Sequence, residues 1–145
     1  MLKGIDPLLS PELLTVLCEM GHGDEVVLVD ANFTAASLGR GKPLIRLPGS
    51  DLLRASKALL SVFPLDSAVE QPVAFMKVCD TPEDYTSPVQ LAVIVLLENA
   101  GMAEPGQCEA MERFHFYERV KHAYAIVQTG ESAPYANFIF KKGVI

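Results

Sequence analysis

Apolar residues at Leu13, Leu14, Val16, Leu17 and Met20 recur at helical spacing. With Ser10 as N-cap and Pro11 at the first helical position, they predict an opening helix that Gly21 stops. The period then changes. From Glu25 to Val29 the chain reads EVVLV, apolar without alternation, which predicts a strand covered on both faces. Thr34 is placed to cap a short turn of helix over Ala35 and Ala36. A second strand is expected at Leu44 to Leu47, broken by Pro48-Gly49, and Ser50 caps a helix from Asp51 to about Phe63, where Pro64 ends it. Pro72 to Val78 reads as another buried strand. Ser87-Pro88 repeats the cap-and-proline start for a helix from Val89 to Glu98, ending near Gly101. Asp80 to Ser87 and Met102 to Glu109 read as loops. Phe116 to His122 fits a helix, Tyr124 to Gln128 a short strand, and Gly130 to Pro134 a turn into a last strand in YANFIFKK. Roughly five strands and about four helices, without repeat or linker, make a single-domain α/β layered sheet with flanking helices spanning residues 1–145.

Composition sharpens this picture. A chain of 145 residues buries one core and is short for two ordinary domains. Half of it is hydrophobic and the mean hydropathy is +0.25, more apolar surface than a small monomer readily hides, so an oligomer is expected. The net charge of −6, with no basic cluster beyond Lys141-Lys142, gives no counterion-releasing face, and nucleic acid is excluded as a partner. The longest apolar run, Leu91 to Leu97, is too short for a bilayer, and the N-terminus lacks the pattern of a secretory leader. A soluble, cytoplasmic chain without membrane partner is therefore expected. Cys18, Cys79 and Cys108 are odd in number, widely spaced and free of any CxxC pair, so they read as free thiols.

The candidate chemistry narrows by elimination. Gly21-His22-Gly23 ends a helix and opens a strand, the reverse of a dinucleotide loop. Cys18 and His22 are four apart, but Gly21 ends the helix between them and no second pair completes a metal site. There is no GxSxG elbow, and no cysteine lies in a nucleophile signature. What remains is His22, able to exchange protons near neutrality, and Asp30, eight residues on, at the carboxyl end of a buried strand where ligands of open α/β sheets gather. The pair suits a polyhydroxylated substrate, and equally fits a surface histidine and a turn-forming aspartate. Arg113 is either a hydrogen-bonding fork or part of a solvated ion-pair surface with Glu112 and Glu118. Tyr135 and Asn137, flanking Ala136, point a phenol and an amide toward hydroxyls or belong to a turn. Phe114, Phe116 and Tyr117 read as core or subunit contact, and His115 and His122 as surface or interface.

Taken together, LKGIDPLLSPELLTVLCEMGHGDEVVLVDANF, ERFHFYERVKHAYAIVQTGE and YANFIFKKGVI resemble the RbsD/FucU family of sugar mutarotases, whereas Leu65 to Cys108 carries little of the likeness. ERFHFYER is similar to the fucose branch, where an arginine stands at the position of Arg113. The resemblance implies an isomerase for L-fucose without cofactor or metal, with His22 as general acid. It also implies sugar contacts from Asp30 and Arg113, a site closed by Tyr135, Ala136 and Asn137, and a toroidal homodecamer with sites at subunit contacts. Two departures stand out: Thr34 where the family has proline in ANFPA, and Ala136 where it has glycine in YGN. A methyl there crowds a close backbone approach or opposes a positive φ. Two rivals remain, a D-ribose pyranase-like mutarotase using the same histidine and a sugar-binding protein in which no proton moves.

Anomer exchange opens and recloses a ring: one proton leaves the anomeric hydroxyl and another reaches the ring oxygen. General acid/base assistance contributes about 10² to 10⁴ in rate, enough for a reaction that already proceeds in water. The sequence leaves the base unassigned among water, Asp30 and a residue across a subunit boundary. The glycines beside His22 are expected to let its imidazole approach the sugar closely.

Overall fold

Local capping sets most helix starts in the computed structural model, which describes residues 2–145. Ser10 Oγ accepts from the Leu13 amide at 3.2 Å and Pro11 opens α1 (Pro11–Glu19). Asp51, rather than Ser50, caps α3 (Leu52–Leu60), its carboxylate accepting from the Arg54 amide at 2.7 Å. Ser87 caps α4 (Pro88–Asn99). Glu112 caps α5 (Arg113–His122), accepting from the amides of Phe114 and His115, so this helix starts three residues before the predicted Phe116. The short α2 (Ala35–Leu38) follows Thr34. Two helix ends are closed by distant lysines: Lys42 Nζ donates to the carbonyls of Val120, Lys121 and Ala123, and Lys142 Nζ to those of Leu17 and Met20.

Six strands form one mixed sheet in the order β2-β5-β1-β6-β3-β4. They are β1 (Glu25–Val29), β2 (Leu44–Leu47), β3 (Val73–Met76), β4 (Cys108–Met111), β5 (Ala125–Thr129) and β6 (Phe138–Lys141). All pairings are parallel except those of β6, which runs antiparallel between β1 and β3. The expected α/β layering is present, with one strand more than predicted. β4 lies where a loop was expected; its sequence, CEAM, is mixed in polarity because it is an edge strand, and only its pairing with β3 makes it a strand.

The unalternating pattern of β1 has its predicted cause. Val26 and Leu28 face a core shared with α1, α3 and α4, while Val27 and Val29 face a second core formed with Phe33, Ala35, Phe116 and Val120. Helices thus cover both faces of the sheet, and residues 26 to 29 have no solvent exposure. At the other end of β1, Glu25 is held by Arg119 at 2.8 Å and Lys141 at 3.0 Å. Burial raises the Glu25 carboxyl, but these hydrogen-bonded cations outweigh it and hold the group below the usual glutamate range.

A group with a lowered native pKa stabilises the fold above its unfolded pKa and loses that contribution as pH falls through the native value. Glu25→Ala, which leaves Arg119 with only the more exposed Glu109, is expected to cost about 2 kcal/mol or more at neutral pH. Thermal unfolding from neutral to acidic pH checks this: the gap between wild type and variant should close in acid, and an equal gap at every pH would refute the assignment.

Candidate active site

Asp30 leaves the carboxyl end of β1 with 4% of its surface exposed. Because β6 is antiparallel to β1, the residue entering β6 sits beside the one leaving β1, and the Asp30 amide donates to Asn137 Oδ1 at 3.0 Å. The Asp30 carboxylate in turn accepts from the Asn32 amide at 2.9 Å and faces the amides of Phe33 and Ala136 and the side chain of Asn137. Burial is the largest influence and pushes this carboxyl above the usual aspartate range, against the hydrogen bonds that favour its ionised form.

A cavity of about 210 Å³ opens here, lined by Asp30, Asn32, Phe33, Met76, Arg113, Tyr117, Pro134, Tyr135 and Asn137. Arg113, at the start of α5, lies with its guanidinium carbon 5.1 Å from the Phe114 ring centroid and 5.7 Å from that of Tyr117. Its Nε is buried and unpartnered. The solvated ion-pair alternative for Arg113 does not hold, because Glu112 caps α5 and Glu118 pairs with Lys121. Tyr135 takes φ +61, in the left-handed region that non-glycine residues rarely occupy. A hydrogen bond to Cys79 and burial hold its phenol above the usual tyrosine range, so it remains a donor at neutral pH.

The backbone at Thr34 and Ala136, the two departures the resemblance implied, bears on the strain expected there. The positive φ of the YAN segment falls on Tyr135, so the Ala136 methyl meets no left-handed strain; it is fully buried in the core while the Ala136 amide faces Asp30. Thr34 has φ −74, a value proline also adopts.

His22 lies elsewhere. It sits before β1, at the end opposite Asp30, and eight residues of extended chain and turn separate the two by on the order of 20 Å. The expectation that the glycine turn brings His22 to a sugar held on Asp30 therefore fails within one chain: both residues flank the same strand, and a strand holds its ends apart. Of the two glycines, Gly23 requires its residue type, with φ +86, and its amide donates to the Lys142 carbonyl at 2.8 Å. The His22 side chain is half exposed, and its Nε2 lies 3.2 Å from Oδ2 of Asp66, a buried carboxylate. Asp66 Oδ1 accepts from the Ala68 amide at 3.0 Å, which with His22 and Lys141 keeps this carboxyl below the usual range. A carboxylate on one imidazole nitrogen restrains the ring, and among the described residues Nδ1 makes no hydrogen bond. Cys18 lies on α1 and His22 beyond its end, so the two share no helix face.

Asp66 carries no signal in the sequence. It follows Pro64-Leu65 in an irregular stretch, and it reaches His22 only because Leu65 bridges Lys142 and the Asp66 amide donates to the Lys141 carbonyl.

A sequence profile of the RbsD/FucU transport protein family matches residues 3–145. The chain belongs to this family. Over 99% of its length it is 44% identical to the fucose mutarotase of Homo sapiens, covering 94% of that protein. It is 45% identical to the L-fucose mutarotase of Actinobacillus pleuropneumoniae, with 99% and 97% of the two chains covered. The crystal structure of the fucose mutarotase from Streptococcus pneumoniae in complex with L-fucose superposes with a TM-score of 0.89 at 42% identity over 99% of each chain. Both the Asp30 cavity and the His22–Asp66 pair lie inside the matched span.

The two aspartates differ in environment, and carboxyl-carbon NMR titration should resolve them. The Asp30 signal is expected to titrate above the ordinary aspartate value and that of Asp66 below it, with His22→Ala moving Asp66 upward and leaving Asp30 in place. Titration in the opposite order would contradict the burial and bonding described.

Proposed function

We propose that this chain is an L-fucose mutarotase that interconverts the α and β anomers by general acid/base ring opening and closing. The observation that carries the reading is the Asp30 cavity in a chain of 44–46% identity to fucose mutarotases over 99% of its length. At about 210 Å³ the cavity suits a monosaccharide and falls below the roughly 300 Å³ at which drug-sized sites begin. Its polar groups match a sugar's hydroxyls: Asp30 accepts, the Arg113 guanidinium and the Tyr135 phenol donate, and Asn137 does both.

The proton-transfer residue comes from a second copy. His22, oriented by Asp66, presents Nδ1 to the ring oxygen of a sugar seated on the partner's Asp30, protonates it as the ring opens and takes the proton back on closure. The anomeric hydroxyl loses its proton to the Asp30 carboxylate, which returns it to the carbonyl oxygen as the ring recloses on the other face and inverts C1. No bond to the protein forms and no electron is exchanged. The exposed apolar residues Leu2, Leu53, Val62, Leu91, Val95 and Phe114 supply surface for subunit contacts, and a ring of ten subunits in the cytoplasm is the assembly and compartment this reading assigns. The free thiols of Cys18, Cys79 and Cys108 accord with a reducing compartment.

Complementation tests the shared site. His22→Gln and Asp30→Asn, each assembled alone, should lose most of the added exchange in saturation-transfer NMR of equilibrated L-fucose, a loss of about 10²-fold or more. Co-assembled, they should regain part of it, since some contacts then join an intact His22 to an intact Asp30. Mixed assemblies as inactive as their parents would exclude a site built from two copies.

A further inference from the structure

Gln90 is fully buried on the first turn of α4, and its one side-chain amide is bound on both sides. Oε1 accepts from the Ser87 amide at 3.1 Å, completing the capping box. Nε2 donates to the carbonyl of Met76 at 2.6 Å and to that of Tyr135 at 2.8 Å. Two carbonyls that need donors and one amide that needs an acceptor admit a single orientation of the group. Met76 and Tyr135 both line the Asp30 cavity, yet Gln90 does not. The same two segments are joined again at Asn137, where the Met76 amide donates to the Asn137 carbonyl at 3.1 Å and Asn137 Oδ1 accepts from the Asp30 amide. Among the described residues, no other side chain bonds the Tyr135 backbone, which sits at φ +61 and requires its surroundings to keep it there.

We infer that Gln90 is a positioning residue of the sugar site: its amide clamps the Tyr135 carbonyl to the end of β3 and so fixes the left-handed turn that aims the phenol into the cavity. The inference rests on the reading of Tyr135 as a sugar-site donor. It assigns a functional role to the segment between Leu65 and Cys108, in which the sequence reading placed no site residue.

Gln90→Glu separates this role from helix capping. Glutamate serves the capping box as well as glutamine, accepting from the Ser87 amide. It has no second donor, however, and when ionised it turns a negative oxygen toward two carbonyls. Gln90→Met removes both donors at nearly constant length and covers the case in which the glutamate variant fails to assemble. Each variant is expected to lower L-fucose exchange about tenfold or more in the folded oligomer. In a Tyr135→Phe background the same substitution should add less than about twofold, because two changes acting through one group do not add. Labelling with 3-fluorotyrosine gives a readout that a purely structural role does not move. Of the resonances of Tyr85, Tyr117, Tyr124 and Tyr135, that of Tyr135 should shift or broaden, while that of Tyr124, hydrogen-bonded to Glu19, stays in place. Fully additive losses, or an unchanged rate with an unmoved Tyr135 resonance, would overturn the assignment. Full exchange in Tyr135→Phe alone would instead refute the reading of Tyr135, and the positioning role with it.

Discussion

The antiparallel course of β6 between β1 and β3 is the constraint on which both functional clusters depend. At its start, β6 brings Tyr135, Ala136 and Asn137 against Asp30, where β1 ends. At its finish, Lys141 and Lys142 meet Glu25, Gly23, Leu65 and Asp66, fixing the histidine turn and the carboxylate beside it. A parallel strand in the same slot would place its start beside the histidine turn and its finish beside Asp30, and neither cluster would form.

The same geometry separates the two residues that the proposed reaction uses together. Since His22 and Asp30 terminate one rigid strand, no rearrangement short of breaking the sheet brings them into contact within a chain. In the proposed shared site a second copy supplies the opposite strand end, which leaves the sheet of each chain intact. The half-exposed His22 thus lies at one end of β1 and the cavity with its buried Asp30 at the other.

Polar groups around the pocket are placed by backbone more than by side-chain pairing. Asp30 faces three main-chain amides, Tyr135 is held through its own carbonyl, and Asn137 bonds the Asp30 amide. Such contacts are indifferent to many substitutions of the surrounding side chains. They depend instead on strand register, which two helix-covered faces specify strongly.

Sequence by itself determined what is local. Ser10, Pro11, Ser87 and Pro88 mark helix starts because their bonds close within a few residues, and the unalternating VVLV of β1 announces helices on both faces because burial is written into composition. It likewise placed Asp30 at a strand's carboxyl end and marked Arg113, Tyr135 and Asn137. Tertiary structure alone decided the rest. The mixed CEAM segment became β4 only by pairing with β3, Asp66 met His22 only through the bridge from Leu65 to Lys142, and Gln90 reached Tyr135 across 45 residues. These contacts are made between segments distant along the chain, and no period, cap or spacing near a residue records which remote carbonyl or imidazole will stand opposite it once the sheet has closed.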